Sequence, residues 1–112
     1  MKWMELTSDE LRDAIKGTGG VCVLPFGVVE RHGAHLPLGQ DQLMARAVCE
    51  KAAEREAAVV CPDYYFGKIF TARQTIGTIS TPPELMLKLL RHLLDEFARN
   101  GFRKILIANG HG

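Results

Sequence analysis

The sequence predicts an α/β domain built around a parallel β-sheet. The apolar run at residues 21–26 is continuous rather than alternating, as in a parallel strand that is covered on both faces, and further strands are predicted at residues 57–61 and 104–108. A strand, a helix and a second strand make a βαβ unit, whose crossover should be right-handed. The chain has 112 residues, which suffices for one small domain. We therefore expect residues 1–112 to form a single α/β domain.

Composition argues against several functional classes. Apolar residues make up 46% of the chain and charged residues 24%, which is ordinary for a globular protein, and the formal net charge is +1. With no basic run and no apolar segment near the roughly 20 residues of a membrane span, we expect no nucleic-acid partner and no membrane partner. Cys22, Cys49 and Cys61 are odd in number and lack C-x-x-C spacing. Buried thiols in a reducing cytoplasm are the favoured interpretation, with disulfides or thiolate ligands as the alternative.

The first helix is predicted from its start signal. Thr7 can cap the free amide groups at the helix start, and Glu10, three residues later, can reach back to Thr7 in a capping box. The helix should end near Lys16, because Gly17 and two further glycines follow. Its apolar face consists of Leu6, Leu11, Ala14 and Ile15.

The loop after the first strand carries the candidate metal ligands. Its sequence, LPFGVVERHGAHLPLGQD at residues 24–41, contains prolines and glycines that rule out a long helix. It presents Glu30, His32, His35 and Asp41, and imidazole nitrogens and carboxylate oxygens are ligands of Zn²⁺, Mn²⁺ and Fe²⁺. In an extended segment, side chains two residues apart point to the same side, so Glu30 and His32 can converge. The alternative is a loop of solvated surface groups.

Asp41 stands where the second helix is predicted to start, and that helix should run to about Arg55. A carboxylate in the first turn of a helix is favoured by the unpaired amides there, which would explain Asp41 without a metal. The predicted buried stripe consists of Leu43, Ala47, Val48 and Ala52, with Met44 beside them. The predicted solvated face consists of Arg46, Glu50, Lys51, Glu54 and Arg55.

Residues 63–81 form a connection that is long for a compact domain, and such connections are often functional. Within it, Lys68 and Arg73 could reach into a cleft at the strand ends. The alternative is an irregular excursion or small hairpin that serves packing or subunit contact.

The third helix is predicted to start with Thr81 as its cap, Pro82 in the first helical position and Glu84 closing a capping box. The helix should end at Asn100-Gly101. His92 lies off the apolar stripe and is interpreted as a surface or packing histidine. That stripe consists of Met86, Leu89, Leu90, Leu93, Leu94 and Phe97.

His111 follows the third predicted strand directly, as Glu30 and His32 follow the first. Parallel strands place their carboxyl ends at the same edge of the sheet, where open α/β folds bind ligands. Two segments far apart in the chain are therefore expected to meet at one crevice. Sites of histidine and carboxylate with open positions are more often catalytic than structural.

Three stretches together resemble the creatininase (creatinine amidohydrolase) family: residues 24–41, FGKIFTARQTIGTIS at 66–80, and ILIANGHG at 105–112. The resemblance covers essentially the whole chain but only about the first half of a typical member. We therefore expect residues 1–112 to be the N-terminal part of a longer creatininase-like domain. Arg31 stands where the family usually has glutamine, and Gln40 where threonine often precedes the aspartate. The NGHG stretch resembles members with NGHGGN rather than those with a tyrosine-glutamate pair after the histidine, which argues against creatinine itself as the substrate.

The resemblance implies a partial three-layer α/β/α fold with a mostly parallel sheet, two divalent metal ions (zinc, manganese or iron) and often a homo-hexamer. It implies hydrolysis of C–N bonds in small-molecule amides, cyclic amides or formamide-type groups. By motif position, Glu30 and His32 would bind different metals, Asp41 would bridge them and His111 would complete one site. His35 matches a recurring histidine of the motif. It is the candidate general acid in this chain, with a group outside residues 1–112 as the alternative.

A rival hypothesis is an incomplete, non-catalytic α/β domain that needs a partner chain to complete its site. A nucleotide-binding half-domain is disfavoured, because no G-x-G-x-x-G or G-x-x-x-x-G-K-[ST] motif follows a predicted strand.

Overall fold

The computed structural model of the protein describes residues 1–112. It contains a three-stranded, fully parallel sheet with the strand order β2-β1-β3. None of the helices combines the length and the apolar character that crossing a membrane requires. The elements are α1 (Ser8–Gly17), β1 (Val21–Phe26), α2 (Gln40–Ala53), β2 (Val59–Val60), α3 (Pro83–Asn100) and β3 (Lys104–Asn109).

Strand β1 is the central strand of the sheet, and its end fixes where the site lies. It pairs with β3 over its whole length, from Val21 opposite Lys104 to Phe26 opposite Asn109. The two strands therefore end side by side, and the loops that follow them leave the same edge of the sheet. Strand β2 pairs with β1 only at Val59 and Val60, so it is shorter than the predicted run 57–61.

The core has a layer on each face of the sheet, because successive side chains of a strand point to opposite faces. Cys22 and Leu24 belong to the larger cluster, which includes residues of α1 and α3. Val23 belongs to the smaller cluster, with Cys49 of α2 and Val60. The predicted three-layer α/β/α arrangement is confirmed. All three cysteines are buried and free, as expected for small apolar core residues.

The helix starts match the sequence signals only in part. The capping box of α1 is confirmed, since Thr7 Oγ1 accepts the Glu10 N–H at 3.3 Å and Glu10 Oε2 accepts the Thr7 N–H at 2.7 Å. The capping box predicted at Thr81 is wrong. Helix α3 begins at Pro83 with no side-chain cap, and Thr81 is buried with its N–H donated to the Gly67 carbonyl at 2.9 Å. Pairing with the preceding irregular segment takes Thr81 away from the helix.

The buried stripe predicted for α2 is also wrong. Leu43, Met44 and Val48 are 58%, 55% and 56% exposed, and Ala47 and Ala52 are exposed as well. The helix instead turns Ala45 and Cys49 toward the sheet, because the close approach of α2 leaves little room there for large side chains. The large apolar side chains consequently point outward. Buried in their place are Asp41, Gln42, Ala45 and Cys49.

The segment between β2 and α3 is irregular, as expected, but it is held at several points. Single bridges pair Phe26 with Tyr64, Val29 with Ile79, and Gly67 with Ser80. The Tyr64 ring is buried and stacks on Phe26 with 4.7 Å between ring centroids. This segment therefore packs along the exit of β1, next to the loop that carries Glu30.

Candidate metal centre

Four predicted ligands meet at the carboxyl edge of the sheet, with Asp41 at their centre. Glu30 and His32 come from the loop after β1, Asp41 from the first turn of α2, and His111 from the residues after β3. Asp41 Oδ1 lies 2.7 Å from His32 Nε2, and Asp41 Oδ2 lies 2.9 Å from His111 Nδ1. The expected convergence of the two segments is present. That these residues bind metal stays a prediction.

Two glycines allow this meeting, because the backbone of α2 packs directly against both strand exits. A Cβ on Gly27 would lie 2.5 Å from the Gln42 nitrogen, and one on Gly110 would lie 2.7 Å from the Asp41 carbonyl oxygen. The Gly110 N–H also donates to the Phe26 carbonyl at 2.8 Å. A side chain at either glycine would displace the first turn of α2 and with it the Asp41 carboxylate.

Both ring nitrogens of His32 face hydrogen-bond acceptors. Its Nδ1 lies 3.0 Å from the Glu30 carbonyl oxygen and its Nε2 lies 2.7 Å from Asp41 Oδ1, so a neutral ring can donate to only one of them. When Nδ1 carries the proton, Nε2 turns its lone pair toward Asp41 Oδ1. A proton or a metal cation must lie between these two atoms for the contact to be favourable. A backbone carbonyl that orients the far nitrogen of an imidazole is the usual support of a metal-binding histidine.

His111 is placed in the same way from the other side. Its Nε2 lies 3.3 Å from the Lys68 carbonyl oxygen, and its Nδ1 lies 2.9 Å from Asp41 Oδ2 and 3.3 Å from Glu30 Oε1. When Nε2 carries the proton, Nδ1 presents a lone pair to these carboxylates. Two imidazoles thus approach the two oxygens of one carboxylate, and the far nitrogen of each faces a main-chain carbonyl.

The charge of the cluster favours a cation. The Glu30 and Asp41 side chains are 15% and 9% exposed, and no Lys or Arg side chain pairs with either of them. Burial of His32 disfavours its charged ring, but the Glu30 carbonyl and the carboxylates of Asp41 and Glu30 outweigh burial and raise the pKa of His32. The site therefore attracts positive charge, from a proton or from a metal ion.

The donor atoms divide into two halves around Asp41. Ligand atoms of Glu30, His32 and Asp41 lie within 4.8 Å of one another, a spacing that one metal ion could span. His111 lies outside that group but contacts the other oxygen of Asp41. Glu30 Oε1 stands between the halves, 3.8 Å from His32 Nε2 and 3.3 Å from His111 Nδ1.

The structure does not bring His35 into this cluster. His35 is exposed in the tight turn after His32, beside Gly33, and no hydrogen bond or ion pair joins it to the four ligand candidates. Its assignment as a catalytic residue stays a prediction. His92 is exposed on α3, as its position off the apolar stripe predicted.

Supporting groups were missed by sequence reasoning. Asn109 Oδ1 accepts the His111 N–H at 3.0 Å and so fixes the turn that presents the imidazole. An asparagine two residues before a candidate ligand, next to a glycine, is a signal that could have indicated this turn. The Lys68 carbonyl left no comparable signal, because any residue can supply a carbonyl.

A cavity of about 680 Å³ opens beside the cluster. Its lining includes Glu30, His111, Lys68 and Phe70. Substrate-sized space therefore adjoins two of the four ligand candidates. The remaining lining residues are Phe26, Gly67, Ile69, Thr71, Met86, Asn109 and Gly112.

Comparison with known proteins identifies the family. The sequence model of the creatininase family, described as creatinine amidohydrolase, matches residues 4–112. The chain belongs to the creatininase family. Among curated creatininase relatives, the creatinine amidohydrolase of Pseudomonas putida is 32% identical over 112 residues, which cover 96% of this chain and 43% of that protein. The mycofactocin precursor peptide peptidase of Mycobacterium tuberculosis is 31% identical over 111 residues, with 88% and 43% covered.

Solved creatininase structures share the fold. A manganese form of creatininase superposes with a TM-score of 0.91 at 31% identity, over 98% of this chain and 45% of that chain. A Zn–Zn form of a creatininase mutant gives the same TM-score, identity and coverage. The chain thus spans less than half the length of the creatininase relatives that it matches.

Proposed function

We propose that the chain contributes to a metal-dependent amidohydrolase, which hydrolyses C–N bonds of amides, cyclic amides or formamide-type groups with two divalent ions. One observation carries this proposal: each carboxylate oxygen of Asp41 faces a ring nitrogen of a different histidine, and the far nitrogen of each ring faces a main-chain carbonyl. The relative from Pseudomonas putida is a creatinine amidohydrolase, and solved creatininases include Zn–Zn and manganese forms. Zinc, manganese or iron suits this set of nitrogen and oxygen donors.

In this proposal, Asp41 would bridge the two ions. His32 would bind one ion through Nε2, and His111 would bind the other through Nδ1. By the motif positions of the resemblance, Glu30 and His32 would bind different ions. Glu30 Oε1, at 3.3 Å from His111 Nδ1 and 3.8 Å from His32 Nε2, supports placing Glu30 with the His111 ion. The carbonyls of Glu30 and Lys68 would keep the two imidazoles in the tautomers that metal binding needs.

When bound, the two ions would lower the pKa of a water molecule and polarise the amide carbonyl. The residues of this chain hold the centre and shape the cavity beside it. The leaving nitrogen needs a proton, and His35 is the candidate donor within residues 1–112. Its exposed turn would have to move closer to the centre for that role, or a group from outside these residues would supply the proton.

Metal analysis of the purified chain tests this proposal. We expect mass spectrometry of the metal content to find two ions per chain after loading with zinc or manganese. Asp41→Asn should remove both, because a neutral amide cannot bridge two cations. Asp95→Asn, at an exposed position of α3, is the matched control and should keep both. Full metal content in Asp41→Asn would overturn the assignment.

A second candidate function is a non-catalytic domain that requires a partner chain. Strand β3 lies at the edge of the sheet, and its apolar residues Leu106 and Ile107 are 65% and 39% exposed. This exposure favours additional polypeptide that covers β3. Residues 1–112 would then be the N-terminal part of a longer creatininase-like domain, which the coverage of relatives also favours. Zero or one ion per loaded chain would favour this candidate over a working dinuclear centre.

We also propose that the chain self-associates and that it is located in the cytoplasm. The outward apolar side chains of α2, Leu43, Met44 and Val48, offer a surface for a second copy, and the family resemblance implies a hexamer. Buried free thiols suit a reducing compartment. Sedimentation velocity of the chain would test self-association, and a monomer at every concentration would contradict it.

A further inference from the structure

Lys68 stands between two cavities beside the candidate metal centre. The first is the cavity of about 680 Å³ that Glu30 and His111 also line. The second, of about 310 Å³, shares Lys68, Ile69 and Phe70 with the first and adds Arg73. The two cavities are therefore neighbours, and two cationic side chains, Lys68 and Arg73, line them.

The backbone of Lys68 is fixed relative to the centre. Its carbonyl oxygen lies 3.3 Å from His111 Nε2. The next residue, Ile69, is clamped by Ser80, whose Oγ accepts the Ile69 N–H at 3.3 Å and donates to the Ile69 carbonyl at 3.2 Å. The Lys68 side chain therefore starts from a defined point at the edge of the centre.

The charges of Lys68 and Arg73 have no acidic partner in the protein. The Lys68 ammonium lies 4.0 Å from the centroid of the Phe70 ring, an arrangement that holds the cation without neutralising it. Neither cation takes part in a salt bridge. The single acidic side chain along either cavity is Glu30, which is a candidate metal ligand. When metal ions neutralise Glu30, the cations of this lining have no counter-charge and attract anionic ligands.

We propose that Lys68, supported by Arg73, binds an anionic group of the substrate, so that this centre prefers amides that carry a carboxylate. The inference rests on the proposed amidohydrolase function. The amide carbonyl would lie at the centre near Glu30 and His111, while the carboxylate extends along the cavity to the Lys68 ammonium. Lys68 would then determine specificity without taking part in the hydrolysis.

The test compares two probes that differ in charge, N-acetylglycine and its neutral amide, N-acetylglycinamide. Their affinities for the zinc-loaded chain would be measured by calorimetry or NMR titration. We expect the anionic probe to bind the wild-type chain more tightly by about ten-fold, the size of one charge-assisted hydrogen bond. Lys68→Met keeps the aliphatic contact with Phe70 but removes the charge, and it should bring the ratio close to one. Arg73→Gln should reduce it less.

Two further variants separate the charge at position 68 from the overall charge of the chain. Lys68→Arg retains the positive charge and should restore most of the discrimination. Lys51→Gln removes an exposed lysine of α2 that lines neither cavity and should leave the ratio unchanged. If Lys68→Met discriminates as well as the wild-type chain, the ions themselves hold the carboxylate and the inference is overturned.

Metal content, measured on the same samples, separates this inference from the proposed function. Two ions per wild-type chain together with equal affinities for both probes would overturn the role of Lys68 and leave the dinuclear centre standing. No bound metal in the wild-type chain would overturn the proposed centre, and with it the metal-centred substrate orientation inferred for Lys68.

Discussion

Two acidic clusters of the chain differ in the partners of their carboxylates. Glu50 and Asp63 both accept hydrogen bonds from the Arg46 guanidinium, at 3.0 and 3.2 Å, and their side chains are 33% and 26% exposed. Glu30 and Asp41 are less exposed, and only imidazoles pair with them. The Arg46 guanidinium, which is always charged, pairs with the carboxylates of the first cluster. The carboxylates of the second cluster have no permanently charged partner and remain available to a cation.

The pKa shifts express the same difference. The hydrogen bond from Arg46 lowers the pKa of Glu50, so this carboxylate is charged and already neutralised over a wide pH range. At the other cluster, burial acts against the charged ring, yet the neighbouring oxygens raise the pKa of His32. The number of carboxylates in a cluster therefore does not indicate metal binding. Whether those carboxylates pair with Arg or Lys, or only with imidazoles, is more informative.

Removing one imidazole of the second cluster should cause the largest loss of zinc affinity. We expect His32→Ala to weaken zinc binding by more than about 100-fold, because a direct ligand should matter at least as much as its supporting residues. Arg46→Gln, in the other cluster, should leave zinc binding unchanged and alter stability by at most about 1 kcal/mol. Competition with a fluorescent zinc chelator would measure both variants. Equal losses of zinc affinity in the two would contradict the contrast.

A side chain at Gly27 should disturb the second cluster through the backbone. Gly27→Ala places a Cβ against the first turn of α2. We expect a loss of about 1–3 kcal/mol in the free energy of unfolding, together with weaker zinc binding. Gly17→Ala is the matched control, since a Cβ there meets no atom within 4 Å, and it should be neutral or slightly stabilising. Urea denaturation of both variants checks the expectation. A Gly27→Ala chain as stable as wild type would show that α2 can shift freely.

Loss of the Asn109 side chain should have the smallest effect. Asn109→Ala removes the acceptor of the His111 N–H, so the imidazole should be less well oriented. We expect zinc affinity to fall by about ten-fold, the lower end for a supporting residue, and stability to fall by about 1 kcal/mol. The same chelator competition and urea denaturation apply. Asn109→Asp retains an oxygen acceptor and should preserve most of the affinity.

The order of elements and the convergence at the sheet edge could be predicted from the sequence. The continuous apolar run at Val21–Phe26 and the NGHG turn after β3 place Glu30 and His111 at strand ends, and parallel pairing brings those ends together. The capping box at Thr7 was predicted because its signal is local. The capping box at Thr81 failed because a distant partner, Gly67, binds its N–H.

The face of α2 that is buried could not be predicted. Leu43, Met44 and Val48 are the most apolar residues of the helix, and hydrophobic periodicity alone turns them inward. Packing against Gly27 and Gly110 allows the helix so close to the sheet that Ala45 and Cys49 fill the contact instead.

The sequence by itself determined the residue types at the strand ends and hence the chemistry available there, because strand and helix periodicity are local properties of the chain. Only the tertiary structure decided which nitrogen of each histidine faces Asp41, and which cations stand free beside the cavity. Those features depend on carbonyls and side chains from distant segments, such as Lys68 beside His111, and their positions follow from packing rather than from spacing along the chain.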